Sequence, residues 1–410
     1  MRAMSCDDCG SKTYFCGTHR ALSPVETLSR VRPFFDSFGI TRIANVTGLD
    51  RIGIPVVVVC RPNARSSAVF HGKGIDISAA KASGVMEAIE TWHAEHMDLP
   101  LRFSSFAELS RHHRIVDVAG LPRLADNEFR PALKTLWVEG HDLIGEERAW
   151  VPFEIVHTDG TVPGPPSVGC FASSTNGLAS GNHVLEALSH AICEIIERDA
   201  TSLWNRMPTG QRDERRLDLG TVANDTCRAI VDQFERAELD VAIWDTTTDV
   251  GVAAFQCLAA DRTGEIPHVA YGAGCHPARE VALLRALTEA AQVRTTYIVG
   301  SREDIHRSDY SAETLRNRSR AARRVMRPVT CMRDFGSIAT REFGSFGSEV
   351  DWLLDCLRNA DIRQAITIDL TRPEYGISVV RVVIPGLEGS DHHLGYVPGE
   401  RARALMERAE

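Results

Sequence analysis

The chain has 410 residues, of which 43% are hydrophobic and 25% are charged, and this composition is typical of a globular protein with a sizeable core. Its net charge of −9 argues against binding nucleic acid, which requires a basic surface. No apolar run is long enough to span a bilayer and no signal peptide is recognisable, so we expect a cytoplasmic protein without a membrane partner, whose 11 cysteines are mostly reduced.

The predicted elements alternate between strands and helices along the chain. In order, they are a strand at 56–62, a helix at 78–97, a strand at 150–156, a helix at 183–200, paired strands at 241–247 and 252–260, helices at 279–298 and 349–360, and strands at 365–371 and 378–386. This order predicts an α/β or α+β fold with several sheets. No linker rich in Pro or Ser separates the segments, so we expect one composite domain over residues 17–410, after an N-terminal extension over 1–16.

Three of the predicted helices carry polar, mostly acidic side chains at offsets i, i+4 and i+7 within apolar sequence, which places each set on one helix face. The sets are Ser83, Glu87 and Glu90; His190, Glu194 and Glu197; and Arg285, Glu289 and Gln292. Any one set alone is typical of a solvated face. Because an ionised carboxylate is costly to bury unpaired, the recurrence indicates a metal, a cationic ligand or arginines between the helices. We expect Mg²⁺ held by Glu87, Glu90, Glu194 and Glu197, together with a phosphate.

Two loops with the features of an anion site precede the first two of these helices. HGKGID at 71–76 places Lys73 between glycines, and STNGLASGN at 174–182 ends in Asn182, a candidate N-cap. Each loop also has a plainer interpretation, as a hairpin tip and as a turn. Further cations for a phosphate are Arg198, Arg285 and Arg294.

Four segments of the chain together resemble the successive signatures of the YcaO-domain family. They are GKGIDISAAKASGVMEAIE, SSTNGLASGNHVLEALSHAICEIIERDA, ALLRALTEAAQVR and VVRVVIPGLEG. The resemblance extends over residues 17–398. It implies the YcaO fold, in which several sheets and helices form one composite ATP-binding domain, and it implies a homodimer.

Members of this family use ATP and Mg²⁺ to phosphorylate a peptide-backbone amide oxygen, after which a nucleophile adds at the carbon. The resemblance therefore implies an enzyme that modifies a ribosomally synthesised peptide or a protein. With the cations above, it assigns ATP binding to Lys73, Ser83, Glu87, Glu90, Asn182, His190, Glu194, Glu197, Arg198, Arg285, Glu289, Gln292 and Arg294. The family pattern S-x-x-x-E-x-x-E-R departs at its last position, where Thr91 replaces the arginine. That cation must come from elsewhere, or the nucleotide contact is lost.

The N-terminal half also resembles the YcaO proteins that pair with a TfuA partner. The segments are GTHR, PVETL, GITRIANVTGLDRIGIPV and RPNARS, and the C-terminus lacks the PxPxP tail typical of azoline-forming members. This resemblance implies thioamide formation with a TfuA-like partner and a sulfur donor. Two alternatives remain open, an azoline-forming cyclodehydratase and a non-catalytic scaffold that binds peptide.

The chain contains two further groups of interest. Cys6, Cys9, Cys16 and His19 have the order C-x2-C-x6-C-x2-H, which predicts a tetrahedral Zn²⁺ site, although an exposed, flexible N-terminus is the alternative. Residues 316–327 (RNRSRAARRVMR) hold six arginines. This run favours a solvated helix face, and the alternative is a docking surface for an acidic partner or peptide.

Overall fold

The computed structural model describes residues 10–15, 17–125, 129–164, 169–262, 268–302, 305–389 and 395–408. Its α-helices are α1 (Pro24–Val31), α2 (Phe35–Phe38), α3 (Ile77–Glu95), α4 (Phe106–Leu109), α5 (Val184–Arg206), α6 (Thr209–Glu214), α7 (Asp225–Arg236), α8 (Arg279–Val299), α9 (Ala312–Val325), α10 (Phe346–Asn359) and α11 (Glu400–Glu407).

Its strands are β1 (Thr13–Phe15), β2 (Thr18–Arg20), β3 (Arg42–Asn45), β4 (Val56–Cys60), β5 (Val69–Lys73), β6 (Leu101–Ser105), β7 (Arg123–Leu124), β8 (Lys134–Asp142), β9 (Glu147–Pro152), β10 (Leu178–Gly181), β11 (Leu217–Asp218), β12 (Leu239–Asp245), β13 (Ala254–Asp261), β14 (Ala270–Cys275), β15 (Arg333–Asp334), β16 (Ile366–Asp369), β17 (Ser378–Val383) and β18 (Tyr396–Val397). The predicted mixed fold with several sheets is confirmed.

Three antiparallel sheets form the framework of the described chain. Two of them have three strands, in the orders β3-β4-β5 and β12-β13-β14. The third has the order β10-β17-β16-β8-β6, with β9 paired to β8. A long helix follows one strand of each sheet after a short connection: α3 follows β5, α5 follows β10 and α8 follows β14. These are the three helices that carry the acidic sets.

The two smaller sheets lie unusually close to their helices because glycine occupies the contact. A Cβ atom on Gly72 of β5 would lie 2.0 Å from the carbonyl oxygen of Ala80 in α3. A Cβ atom on Gly272 of β14 would likewise lie 2.2 Å from the carbonyl oxygen of Ala286 in α8. Only glycine permits this approach. Close packing of a strand glycine against the helix backbone thus positions both α3 and α8 on their sheets.

The hydrophobic core is built around these helices in three clusters. One joins α3 to β4, β5 and the large sheet, the second packs α5 against α10 and β17, and the third encloses α8 between α7 and β13. All three helices are therefore anchored by burial of their apolar faces, which leaves their polar faces directed away from these clusters. No helix in the described ranges is long and apolar enough to cross a membrane.

Two local predictions are wrong. The strand predicted at 150–156 ends at Pro152, and Phe153–Ile155 form a 3-10 turn. Proline has no N–H to donate to a sheet, which explains the early end. The N-cap of α5 is His183, whose Nδ1 accepts from the Leu185 N–H at 3.2 Å, and the side-chain amide of Asn182 donates to Thr27 Oγ1 instead.

Residues 10–15 of the predicted N-terminal extension are packed against the body of the protein. Ser11 pairs with Ser345, and the Lys12 ammonium forms an ion pair with Glu349, both side chains being 1% exposed. The hairpin of β1 and β2 continues from there towards α5. The division into an extension over 1–16 and a domain over 17–410 remains a prediction.

Candidate active site

A cavity of about 900 Å³ lies where the polar faces of α3, α5 and α8 meet, and we call it the large cavity. Its lining includes the predicted residues Lys73, Ser83, Glu87, Glu90, Asn182, His190, Glu194, Glu197, Arg198, Arg285, Glu289 and Gln292. The structure thus brings together side chains from three sheet-and-helix units that are widely separated in sequence. The polar side chains that are regularly spaced on each helix thus line one common cavity.

Arg294 is the predicted ATP-binding residue that the structure does not bring to this cavity. Its side chain is fully buried, with Nε 3.1 Å from Asp50 Oδ1 and Nη2 3.4 Å from Asp261 Oδ2. Two residues beyond Gln292, it projects about 200° around the helix axis, away from the polar face. Its contacts are those of a structural ion pair.

Carboxylates from three helices share the large cavity, and those of α3 and α5 have raised pKa values. Burial raises the pKa of Glu90 to about 8, and the nearby Glu87 and Glu194 add to this rise, whereas a hydrogen bond from Ser180 opposes it. Burial also raises the pKa values of Glu87, Glu194 and Glu197. Glu87 is the most exposed of them to the water of the cavity, so solvent moderates its shift. The group is short of positive charge.

Cations lie beside this group and partly balance it. The Lys73 ammonium, at the end of β5, forms an ion pair with Glu289. Although burial raises the pKa of Glu289, Lys73 and Arg198 together lower it below its ordinary value. Arg198 also lies 3.8 Å from Glu194 and 3.9 Å from Glu197. Glu289 is thus held ionised by the protein itself.

Polar groups complete the walls. Ser180 of β10 donates to Glu90 Oε1 through both its backbone N–H, at 3.0 Å, and its hydroxyl, at 2.7 Å. Gln292 donates to the backbone carbonyl of His71. Burial and the neighbouring cations lower the pKa of His190, so its imidazole is neutral. Asn182 Oδ1 is buried and accepts no hydrogen bond from the described residues.

Sequence reasoning missed a cation that the N-terminal hairpin brings to the cavity. Arg20, at the end of β2, lines it, and its Nε lies 3.6 Å from Glu186 Oε1. Thr91, which replaces the arginine of the family pattern, lines the same cavity with its hydroxyl bonded to the Glu87 carbonyl. Glu90 is among the charges that act on Arg20. Nothing in the GTHR segment singles out its arginine, so only the fold reveals this contribution.

Further arginines come from regions without a recognisable site pattern. Arg302 and Arg318 line the large cavity from the segment after α8 and from α9. Arg381 of β17 donates at 2.6 Å to the backbone carbonyl of Ser174, which lines the cavity. Burial lowers the pKa of Arg381 to about 10, and the Glu194 carboxylate opposes this shift. Arg302 and Arg381 occur singly in their segments, and Arg318 belongs to the arginine run at 316–327, so helix-face spacing does not identify any of them as a residue of this cavity.

The lining fits Mg²⁺ with a phosphate better than a metal held by protein alone. No three His, Cys, Asp or Glu side chains in the described ranges form a metal-binding group by themselves, so Glu87, Glu90, Glu194 and Glu197 line one cavity without forming a closed cage. Mg²⁺ usually takes only one or two carboxylates and shares the oxygens of a phosphate. Carboxylates with raised pKa values are the donors that a divalent cation would stabilise in the ionised form.

The predicted Zn²⁺ site has no support. Cys6, Cys9 and Cys16 lie outside the described residues. The remaining candidate, His19, is stacked on His276 with ring centroids 5.8 Å apart.

The family model of the YcaO cyclodehydratases, a family described as ATP- and Mg²⁺-binding, matches residues 71–388. The chain belongs to the YcaO family, whose enzymes are ATP-dependent modifiers of peptides. A protein of Rhizobium leguminosarum bv. trifolii, named only for its position in the 3' region of tfuA, is 35% identical over 383 residues, covering 90% of this chain and 88% of its own. An uncharacterised protein of Methanothermobacter thermautotrophicus is 35% identical over 379 residues, or 90% and 95% of the two chains.

Solved structures agree on the fold. YcaO from Methanopyrus kandleri, bound with AMPPCP and Mg²⁺, superimposes with a TM-score of 0.76 at 23% identity, covering 96% of this chain and 99% of that one. A heterocyclase in complex with substrate and cofactor has the same TM-score at 21% identity over 90% of this chain. The chain spans 53% of the length of that heterocyclase.

Proposed function

We propose that this protein phosphorylates a backbone amide oxygen of a ribosomally synthesised peptide or a protein with ATP, and that sulfide then replaces that oxygen to form a thioamide. The observation that carries the proposal is the large cavity, where the acidic sets of three helices and several cations face one another. The membership of the YcaO family supports the use of ATP.

The residues of the cavity can be assigned roles in this reaction. Glu87 and Glu90 of α3, with Glu194 and Glu197 of α5, would hold Mg²⁺, which neutralises charge on the transferring phosphoryl group when it is bound. Lys73, Arg198, Arg285 and Arg20 surround the same space and would neutralise phosphate oxygens. Phosphoryl transfer depends mainly on such positioning and charge neutralisation.

The bond changes balance without a redox partner. The amide oxygen bonds to the γ-phosphorus of ATP as the bond to ADP breaks. Sulfide then adds to the amide carbon, and phosphate leaves with the original oxygen. His190 is neutral because burial and nearby cations lower its pKa. Its imidazole can therefore accept a proton that moves during the reaction, or hold that proton by a hydrogen bond.

The relative named for the tfuA region supports the choice of a thioamide and of a TfuA-like partner that helps to deliver sulfur. The shared fold with a heterocyclase supports the alternative, an azoline-forming cyclodehydratase, in which a Cys, Ser or Thr side chain of the substrate adds to the same activated carbon. A non-catalytic peptide scaffold is disfavoured because Ser180 and Arg198 satisfy the buried carboxylates only in part, and the pKa values of Glu90 and Glu197 stay raised.

Transfer of the amide oxygen to phosphate tests the activation step. We expect a peptide labelled with ¹⁸O at the backbone carbonyl to give labelled phosphate in the presence of ATP, Mg²⁺, sulfide and a TfuA-like protein, because phosphate leaves with the labelled oxygen once sulfide has added to the carbon. E194Q and E197Q should each lower the rate of ADP release by about 100-fold, because loss of one charged group that stabilises the transition state costs about 3 kcal/mol. The matched control is E407Q, on the exposed face of α11. Unlabelled phosphate, or unchanged rates in both variants, would exclude the assignment.

A further inference from the structure

The arginine-rich helix α9 forms a wall shared by two cavities. Arg318 lines the large cavity, and its Nη2 donates to Asp309 at 2.7 Å. Arg323 and Arg327, at the other end of the helix, line a second pocket of about 370 Å³, which we call the small pocket. The helix thus connects the rim of the large cavity to a separate site.

Five arginines of this helix and its C-terminal extension form one continuous basic surface, which we call the arginine face. At about 100° per residue, they fall within an arc of about 100° around the helix axis. They are Arg316, Arg320, Arg323, Arg324 and Arg327, and all are exposed. Arg318 is on a different side of the helix, facing the large cavity. The opposite side is anchored by Ala322, which is buried.

Most of the positive charge on this face is available to a ligand. Arg316, Arg320 and Arg324 form no ion pair with another residue in the described ranges. Arg323 donates to the backbone carbonyl of Asp261, and Arg327 pairs with Asp213, so each of these is held in place at the small pocket. A chain with a net charge of −9 has concentrated six arginines within residues 316–327.

The small pocket contains a guanidinium that is only partly satisfied. Arg216 lies 4.7 Å from the ring centre of Trp244, and its Nη1 is buried without a hydrogen-bond partner among the described residues. Apolar side chains of Leu239, Val241 and Met326 form other parts of the wall. Leu239 and Val241 belong to β12, the terminal strand of its sheet. The pocket therefore suits an extended segment that carries both apolar and acidic side chains.

We propose that the arginine face and the small pocket bind an acidic segment of the peptide substrate, an inference that rests on the proposed function. A peptide is favoured over nucleic acid because Leu239, Val241 and Met326 give the small pocket an apolar wall, which suits peptide side chains better than a dense row of phosphates. A peptide that crosses α9 from the small pocket to the large cavity follows a short path. An extended chain needs about three or four residues to cross a helix about 10–12 Å wide, so the acidic segment lies close in sequence to the modified residue.

Charge reversal on the helix tests this proposal. The probe is a fluorescein-labelled peptide of about 12 residues that alternates Glu and Ser, which is longer when extended than α9. We expect R316E/R320E/R324E to weaken its binding by at least about tenfold, because three attractions become repulsions. The matched control is R32E/R42E/R111E, which reverses three other exposed arginines and should leave the affinity within about twofold. A peptide that alternates Gln and Ser should bind at least about tenfold more weakly than the Glu peptide.

Three results would overturn the proposal: no loss in the α9 variant, an equal loss in both triple variants, or tighter binding of a DNA oligonucleotide of equal charge than of the Glu peptide. The E197Q variant separates this proposal from the proposed function, because it should bind the peptide normally while releasing little ADP. Peptide binding that depends on α9, without ADP release by the parent protein, would contradict only the proposed function. ADP release that responds to peptide, without dependence of binding on α9, would contradict only the docking surface.

Discussion

Arg20 illustrates a site residue that acts from outside the three helices. Its side chain reaches the large cavity from a hairpin that is linked to α5 through Glu186. Replacement by glutamine removes its charge and retains a polar group of similar length. We expect R20Q to raise the KM for ATP about tenfold, which corresponds to the loss of one charge-assisted hydrogen bond to phosphate.

Steady-state ADP release at varied ATP concentration measures this effect, and R32Q, an exposed arginine of the adjoining segment, is the control. An unchanged KM in R20Q would place Arg20 outside the nucleotide contact. In that case, another cavity cation such as Arg302 would have to take the position that Thr91 leaves open.

Unlike Arg20, Arg294 forms buried ion pairs away from the large cavity. Its removal would leave Asp50 and Asp261 buried, although Arg51 still pairs with Asp261 at 2.9 Å. We expect R294M to lower the free energy of unfolding by about 3 kcal/mol, as for other broken buried ion pairs, and to leave the KM for ATP of the folded protein unchanged. Urea unfolding and ADP release measure the two effects, with R111M as a surface control. A raised KM with unchanged stability would restore the nucleotide role predicted from sequence.

At the residue scale, the helical spacing therefore predicts which residues of each set lie together. It does not predict the position of residues that lie outside that spacing. Glu194 and Glu197 are identifiable because the helical period places them with His190 on one face. The same period places Arg294 on the other face, so its position does not support the predicted contact with ATP, which stays a prediction. Arg381 is missed because a single arginine in a buried strand has no spacing by which to recognise its contact with Ser174.

The contact between β5 and α3 positions Glu87 and Glu90, and it depends on Gly72. A methyl group there would lie 2.0 Å from the Ala80 carbonyl oxygen and 2.3 Å from the backbone nitrogen of Gly84. Because backbone atoms cannot move independently of the helix, we expect G72A to displace α3 and to lower the free energy of unfolding by about 2 kcal/mol or more.

The matched variant is G48A, since nothing lies within 4 Å of the Cβ position there. Urea unfolding of both variants compares their stability, and ADP release by the folded proteins shows whether α3 has moved. Equal stability of the two variants would mean that the strand and helix can separate without cost, contrary to the packing described.

At the element scale, the four helices predicted in chain order correspond to α3, α5, α8 and α10, because their apolar residues repeat over several turns, whereas α7 is not among the predicted elements. Helix α5 is found at Val184–Arg206, where 183–200 was predicted. The strand predicted at 150–156 was extended too far because an apolar run does not show where Pro152 interrupts pairing. The short hairpin of β1 and β2 was not predicted, since three-residue strands have no measurable alternation.

Acid sensitivity is a property of the whole molecule to which a buried histidine contributes. His93 is 1% exposed, and burial lowers its pKa to about 4, with Arg372 acting in the same direction and Glu374 against it. Between pH 6.5 and 4 the unfolded chain binds a proton at this position and the folded protein does not, so stability falls as the pH falls. The loss approaches about 3 kcal/mol at the lower end of this window and is absent above pH 6.5.

We expect the difference in the free energy of unfolding between the parent and H93F to shrink by about 1–2 kcal/mol from pH 7 to pH 5, because phenylalanine removes the titration. Urea unfolding at several pH values measures this difference, and H112Q, at an exposed histidine, should leave the slope unchanged. A parallel pH dependence of the parent and H93F would show that His93 does not contribute.

The three sheet-and-helix units form one site only in the complete fold. Resemblance in sequence predicts the family and the acidic sets, but the way in which the N-terminal hairpin and α9 enclose the large cavity follows from contacts between distant segments. A homodimer and the TfuA-like partner remain predictions at this scale.

The most direct test is the intact mass of a candidate peptide after incubation with this protein, ATP, Mg²⁺, sulfide and a TfuA-like protein, with a reaction lacking this protein as control. Replacement of oxygen by sulfur after phosphoryl transfer predicts a gain of about 16 Da together with release of ADP. A loss of about 18 Da, the mass of water eliminated when a side chain closes on the activated amide, would contradict thioamide formation and indicate an azoline.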